Sequence, residues 1–103
     1  MENIEWIWDD AKAAMNLAKH RLRFSTALRI FEDPLTVSRP DPHPDGDRIQ
    51  TIGEVGFVTL FIVHTWPKQI GGKLIGRIIS ARRATAQERK AYEEGSFESD
   101  LSR

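Results

Sequence analysis

The sequence predicts an α+β domain of two layers, helices packed on an antiparallel sheet of about four strands, with a helix at its C-terminal end. Three observations predict it. Ala11, Ala14, Met15 and Ala18 recur at helical spacing near the N-terminus. The stretch from Leu35 to Arg82 is a series of β-rich runs separated by Pro/Gly turns, and strands joined by turns pair antiparallel. Thr85-Ala86-Gln87-Glu88 is a capping box that opens a last helix.

Each element follows from local chemistry. Ile4-Glu5-Trp6-Ile7-Trp8 nearly alternates and reads as a short strand or extended arm. Asp9 is placed to cap the first helix, Asp10 suits its first turn, and the helix runs to about His20. Its other face presents Lys12, Asn16 and Lys19, either a solvated stripe or a row of charges against an RNA backbone. Ser25 is the candidate cap of a second helix striped by Ala27, Leu28 and Phe31. Pro34 stops that helix, because a residue before proline is pushed out of the helical region. Arg39 to Gly46 holds three prolines and ends in Asp45-Gly46, so it forms a long loop between the extended segments Leu35–Ser38 and Asp47–Gly53. Phe57–Thr65 is almost continuously apolar, as in a central strand covered on both faces. Trp66 to Gly72 reads as a turn, and Lys73–Arg82 as the returning strand. The last helix ends near Gly95. One domain over residues 1–95 is thus expected, followed by a polar, acidic tail over 96–103 that frays.

Composition narrows the function. With 40% hydrophobic and 29% charged residues, the chain is a soluble globular domain rather than a disordered or membrane-embedded one. The absence of cysteine excludes disulfide scaffolds, cysteine nucleophiles and thiolate metal sites, and suits the cytoplasm. The acidic start Met1-Glu2 is unlike a signal peptide, and Phe57–Val63 is far short of the roughly 20 residues of a spanning helix, so no membrane partner is expected. His20, His43 and His64 lack any short ligand spacing, and no metal or cofactor is expected. Fifteen cations balance fifteen carboxylates, yet they are segregated. Phe57 to Tyr92 carries seven cations against Glu88 alone, while the stretch after Tyr92 is acidic.

The strongest local cluster is Arg77-Ile78-Ile79-Ser80-Ala81-Arg82-Arg83. On a strand, Arg77 shares a face with Ile79, Ala81 and Arg83, and Arg82 lies on the other. Two readings stand: bidentate contacts to phosphate, or edge arginines paired with Glu54 and Glu88. His64 is either a proton-transfer group or a strand-end histidine bonded to backbone. His20 sits at a helix C-terminus, which favours a cation there. Trp6 and Trp8 are core cover or base-stacking platforms. Tyr92 is a core-edge residue or a proton-handling phenol.

These residues also fit a family. Trp8-Asp9, Lys12-Ala13, Asn16, Lys19-His20, Phe24, Phe31, Asp33-Pro34, Arg48, Ile52-Gly53, Val63 and Thr65, then Arg77 through Ala84, Glu88-Arg89 and Tyr92, resemble the BrnT family. That family is the toxin half of bacterial type II toxin–antitoxin pairs. The resemblance implies a RelE-like fold and a metal-independent endoribonuclease that arrests growth. It also implies neutralisation by a BrnA-like antitoxin of ribbon-helix-helix type, with operator DNA bound only through the complex. Where members often carry Thr-x-Arg, this chain has Thr65-Trp66-Pro67-Lys68 and a longer Gly-rich turn, which leaves Lys68 in the arginine's place.

The expected reaction is attack of a ribose 2′-hydroxyl on the adjacent phosphodiester, giving a 2′,3′-cyclic phosphate. Arg77 and Arg82 are expected to stabilise the extra negative charge, and His64, Lys12 or Tyr92 to move protons. Arg48, Arg83, Lys19 and Lys68 are expected to contact RNA. The alternative is a catalytically weak or inactive binding module, partner and corepressor of a DNA-binding antitoxin. A stand-alone DNA-binding domain is disfavoured, since no helix-turn-helix or ribbon signature occurs.

Overall fold

The computed structural model describes residues 3–97. In chain order it contains β1 (Ile4–Ile7), α1 (Asp10–His20), the short α2 (Phe24–Ala27) and a 3₁₀ turn (Leu28–Glu32). There follow β2 (Val37–Pro40), β3 (Arg48–Val55), β4 (Val58–Thr65), β5 (Lys68–Ile70), β6 (Lys73–Arg83) and α3 (Ala86–Glu94). The sheet has six strands in the order β1-β6-β4-β3-β2, with β5 also pairing to β6.

The local expectations for the helices hold at atomic detail. Asp9 Oδ1 accepts the Lys12 N–H at 3.0 Å and caps α1. Thr85 and Glu88 close a reciprocal capping box on α3, which ends at Gly95 with φ 78°. The second helix differs. It opens at Phe24 after Arg23, with no side-chain cap, and tightens into the 3₁₀ turn before Asp33-Pro34.

The sheet is mixed rather than antiparallel throughout. β1 runs parallel to β6, pairing Ile4 with Leu74 through Ile7 with Arg77, and β5 adds a three-residue strand where a turn is expected. Parallel pairing of the first strand with the last requires a long crossover, which α1, α2 and the strands between supply. Trp6 crosses directly over Gly76, where a Cβ would lie 2.5 Å from the indole, so no larger residue fits without moving the ring.

The layers also number three rather than two. Ile62 and Leu60 point from β4 into a cluster with Phe24, Ala27 and Ile30, packed beneath α2 and the 3₁₀ turn. Phe61, the residue between them, points the other way and joins Ile52, Ala91 and Phe97 under α3. Successive strand residues face opposite sides, so the helices cover both faces. Phe97 is 7% exposed and Arg39 stacks on its ring at 4.1 Å, so the first part of the expected tail is docked. The rest of that tail, residues 98–103, lies outside the described residues.

One polar side chain ties these layers together. β1 covers the outer edge of β6 only as far as Arg77. Beyond it, the backbone of Ala81 would face no strand on that side. Asn16 of α1 fills the gap. Its Nδ2 donates to Ala81 O at 2.8 Å and to Leu22 O at 3.1 Å, and its Oδ1 accepts from Ala81 N at 3.1 Å. Asn16 is 7% exposed, which corrects the solvated-stripe reading of this position. Its loss strands buried backbone groups at about 1–3 kcal/mol apiece. Asn16→Ala is therefore expected to lower unfolding free energy by about 2–4 kcal/mol in urea titrations. Asn16→Asp is expected to do no better, because a carboxylate would then face the two carbonyl oxygens of Leu22 and Ala81.

Candidate nucleic-acid interface

β6 carries the arginine cluster, and its register decides where each member goes. A bulge leaves Ile79 of β6 without a partner between the pairs Val63–Ser80 and His64–Ile78, which reverses the alternation and sets Arg77 on the face of Arg82 rather than on that of Ala81. Bulges of this kind re-aim neighbouring side chains. Ile78 is buried in the first core, which turns Arg77 to the opposite face, the one shared by Thr65 and Arg48. Thr65 Oγ1 accepts the Arg77 N–H at 2.9 Å and fixes the strand at that point. Arg77 itself is exposed, and among the described residues it forms no salt bridge.

Arg77 lines a cleft of about 240 Å³ together with Asp47, Thr65, Trp66 and Lys68, on an apolar base of Ile7, Ile70, Ile75 and Gly76. The cleft thus joins two cations, a hydroxyl, a carboxylate and an indole that is 54% exposed. Arg48 borders it through its cross-strand pair Thr65, with Nε 3.7 Å from Asp47 Oδ1. Neither of those two buried atoms has a hydrogen-bond partner, so this pair is held loosely.

A second cleft of about 500 Å³ lies between α1 and β6. It gathers Lys12, Lys19 and His20 around Met15, Ala18, Ile79 and Ser80. Lys12 and Lys19 are thereby placed together but apart from the Arg77 cleft, which β6 lines two residues earlier. A cleft of about 490 Å³ between β1 and the β5–β6 turn contains one cation, Lys73, already 3.6 Å from Glu5.

The remaining candidates are committed elsewhere. Arg82 makes a bidentate pair with Glu88, at 2.8 and 2.9 Å, and lies 4.2 Å over the Phe61 ring. Burial pulls the Glu88 carboxyl up, but the bonds from Arg82 and Thr85 outweigh it and hold it below 4.5. Arg83 is exposed at the end of β6 and its carbonyl accepts from Arg82. Tyr92 donates to Asp33 Oδ2 at 2.6 Å, and that bond, with burial and the charges of Asp33 and Glu54, pushes the phenol up to about 12. Asp33 also accepts from the Leu35 and Glu54 backbones; burial pulls its carboxyl up, but the Tyr92 bond first and these two after it hold it low.

His64 is 4% exposed, beneath the stacked rings of Trp6 and Phe31, which meet it edge-on at 5.2 and 5.1 Å. The Thr65 carbonyl, 3.0 Å from Nδ1, can only accept, so Nδ1 carries the proton. Nε2 then accepts from the Thr51 hydroxyl at 2.7 Å, and Thr51 accepts from Ser38. Both nitrogens are used, and no substrate reaches either. Trp6 and Trp8 are half-buried cover of the first core, stacked on Phe31 and set edge-on to Phe24 respectively. Trp66 and Asp47 are the cleft residues that sequence reasoning passed over. The available signal was an aromatic residue inside a Pro/Gly turn, where no core can bury it.

No group of three or more His, Cys, Asp or Glu stands close enough to hold a metal among the described residues. Nor is any helix among them long and apolar enough to cross a membrane.

Burial holds the His64 imidazole below its ordinary 6.5, against the smaller opposing effect of the Thr65 carbonyl. The unfolded chain therefore binds a proton that the folded one refuses. Stability present above pH 6.5 is lost as pH falls towards the depressed folded value, with a slope of up to about 1.4 kcal/mol per pH unit. Urea titrations across that window are expected to show this slope, and His64→Gln to flatten it whatever its effect on absolute stability.

Against known proteins, the family described as the ribonuclease toxin, BrnT, of type II toxin–antitoxin systems matches residues 8–88. Among curated proteins, none matches the chain.

Proposed function

The chain belongs to the BrnT family of ribonuclease toxins of type II toxin–antitoxin systems, and from that premise we propose that it is a metal-independent endoribonuclease working in the Arg77 cleft. The observation that carries this reading is an exposed guanidinium in no salt bridge among the described residues, on a strand whose backbone is held by Thr65, in a cleft with a second cation and an exposed indole. Cleavage proceeds by attack of a ribose 2′-hydroxyl on the neighbouring phosphorus. The 5′-oxygen leaves with a proton, and the products are a 2′,3′-cyclic phosphate and a 5′-hydroxyl.

Two jobs need side chains. Arg77 faces the phosphate and stabilises the added negative charge through its planar fork of donors. Among the residues of the cleft, Asp47 is the group able to take the 2′-hydroxyl proton and Lys68 the one able to return a proton to the leaving oxygen. Proton transfer is thus reassigned from His64 and Tyr92, whose hydrogen bonds occupy them. Arg82 is reassigned to holding α3 on the sheet. Lys12 and Lys19, with Arg48 and Arg83, extend the basic surface along which an RNA backbone runs.

The helix-flanked sheet supports a RelE-like fold. The family supports a BrnA-like ribbon-helix-helix antitoxin that covers the toxin, binds operator DNA as part of the complex, and holds growth arrest in check in the cytoplasm. One observation favours a second reading, a binding module without turnover: the two strongest proton-handling groups of the sequence, His64 and Tyr92, are both locked in the fold.

Incubation of the partner-free protein with a defined RNA in EDTA separates the two. The nuclease reading predicts cleavage with a 2′,3′-cyclic phosphate end, resolved by chromatography. Arg77→Ala is expected to slow it about a hundred- to a thousand-fold with the thermal midpoint unchanged. Arg82→Ala is expected to lower the thermal midpoint instead. Intact RNA from the wild-type protein would establish the module.

A further inference from the structure

Trp66 is an exposed aromatic with an unusually fixed backbone. Its N–H donates to Asp47 O at 3.2 Å, and Pro67 behind it restricts it to extended conformations. The adjoining Thr65 is buried and bonded to β6. The indole is thus presented by a braced strand end, with no ring or cation stacked on it among the described residues. It shares its cleft with Arg77 and Lys68, and exposed Ile7 and Ile70 sit beside it. Trp66, Ile7 and Ile70 thus form a contiguous exposed apolar patch beside two cations, and such a patch rimmed by charge marks a binding surface where a single exposed side chain does not.

We propose that this cleft is a nucleotide subsite for single-stranded RNA, in which one base stacks on Trp66 while the adjoining phosphate is held by Arg77 and Lys68. The inference rests on the RNA-cleavage reading above and adds to it how the substrate is gripped. An indole offers its face to every base, so the contact favours an unpaired nucleotide over one stacked within a duplex and carries little sequence preference of its own. It also gives the Trp-Pro-Lys sequence a purpose: the ring supplies by stacking part of the grip that a second arginine fork would supply by charge.

The test uses the purified full chain and a short, fluorescently labelled single-stranded RNA with every 2′-hydroxyl replaced by fluorine, so that it binds without being cut. Trp66→Ala is expected to weaken binding about 5- to 150-fold, and Trp66→Phe to recover most of the loss. Since no charge is removed, the dependence of affinity on salt stays the same for Trp66→Ala, whereas Arg77→Ala makes it shallower. Removing one base at a time from the RNA should find a position whose loss hurts the wild type and leaves Trp66→Ala indifferent. If Trp66→Ala binds as tightly as the wild type while Arg77→Ala is weakened, the stacking subsite is wrong and the nuclease reading stands. If Trp66→Ala binds RNA normally but fails to capture the antitoxin, the ring belongs to a protein interface and the subsite is likewise overturned. If the wild type neither binds this RNA nor cuts unmodified RNA, both readings fall together.

Discussion

The uncovered edge of β6 is the constraint on which the rest of this structure depends. β6 is the longest strand and touches β1, β4 and β5, yet β1 leaves its outer edge at Arg77. An unpaired edge in the interior of a domain is costly, because buried backbone groups must find partners. Asn16 meets the requirement with one planar amide that both donates to and accepts from Ala81. The same amide holds Leu22 at the end of α1, so a single side chain sets the position of the helix, the turn after it and the strand. α1 then brings Ala13 onto the core already formed by Phe24, Ile30 and Ile62. The backbone of Arg77 lies just before this gap, where β1 pairs it with Ile7 and the Thr65 hydroxyl takes its N–H.

The division of cations follows from the same geometry. Arg82 lies on the face that α3 covers, beside Phe61, and there it meets Glu88 in a half-buried fork-to-fork pair. Glu88 also accepts the Thr85 N–H, so one carboxylate closes the capping box and anchors the helix to the sheet. Arg39 is held by Gln50 and Phe97 in a similar way. Arg77, Lys68, Lys12 and Lys19 line open clefts instead. A chain of zero net charge can still present a basic surface: several carboxylates, Asp9, Asp33, Asp41 and Glu88 among them, are bound to an arginine or to backbone groups that build the fold, while Arg77, Lys68, Lys12 and Lys19 gather around β6.

What was legible in the sequence was local. Asp9, the Thr85–Glu88 box, Pro34 and Gly95 act within one turn of themselves, and each set a helix boundary or stop close to where the pattern placed it. The non-local features were not legible. Nothing in Ile4–Ile7 reveals that its partner is β6 or that the pairing is parallel. Lys68–Ile70 is too short, and too close to two glycines, to read as a strand. The third layer had a trace: Phe57–Thr65 is apolar on both faces, which already demands cover on both, and the helix able to supply the second cover was α3. The roles of polar residues were the least legible. Asn16 and His64 look like surface or catalytic groups until the partners that satisfy them, Ala81 and Thr51, are brought near by pairing far along the chain. Trp66 was overlooked for the opposite reason, since turn chemistry hid an aromatic whose exposure only the folded chain reveals.

The central claim is that RNA engages the face of the sheet at the junction of β4, β5 and β6, centred on Arg77. Amide NMR spectra of the protein, recorded while an uncleavable single-stranded RNA is added, test it most directly. The account predicts that the amides of Thr65, Trp66, Lys68, Gly76 and Arg77 shift together and saturate at one RNA concentration, while those of Glu88 to Tyr92 stay still. Shifts confined to α1 or α3, with Arg77 and Trp66 unmoved, would contradict it.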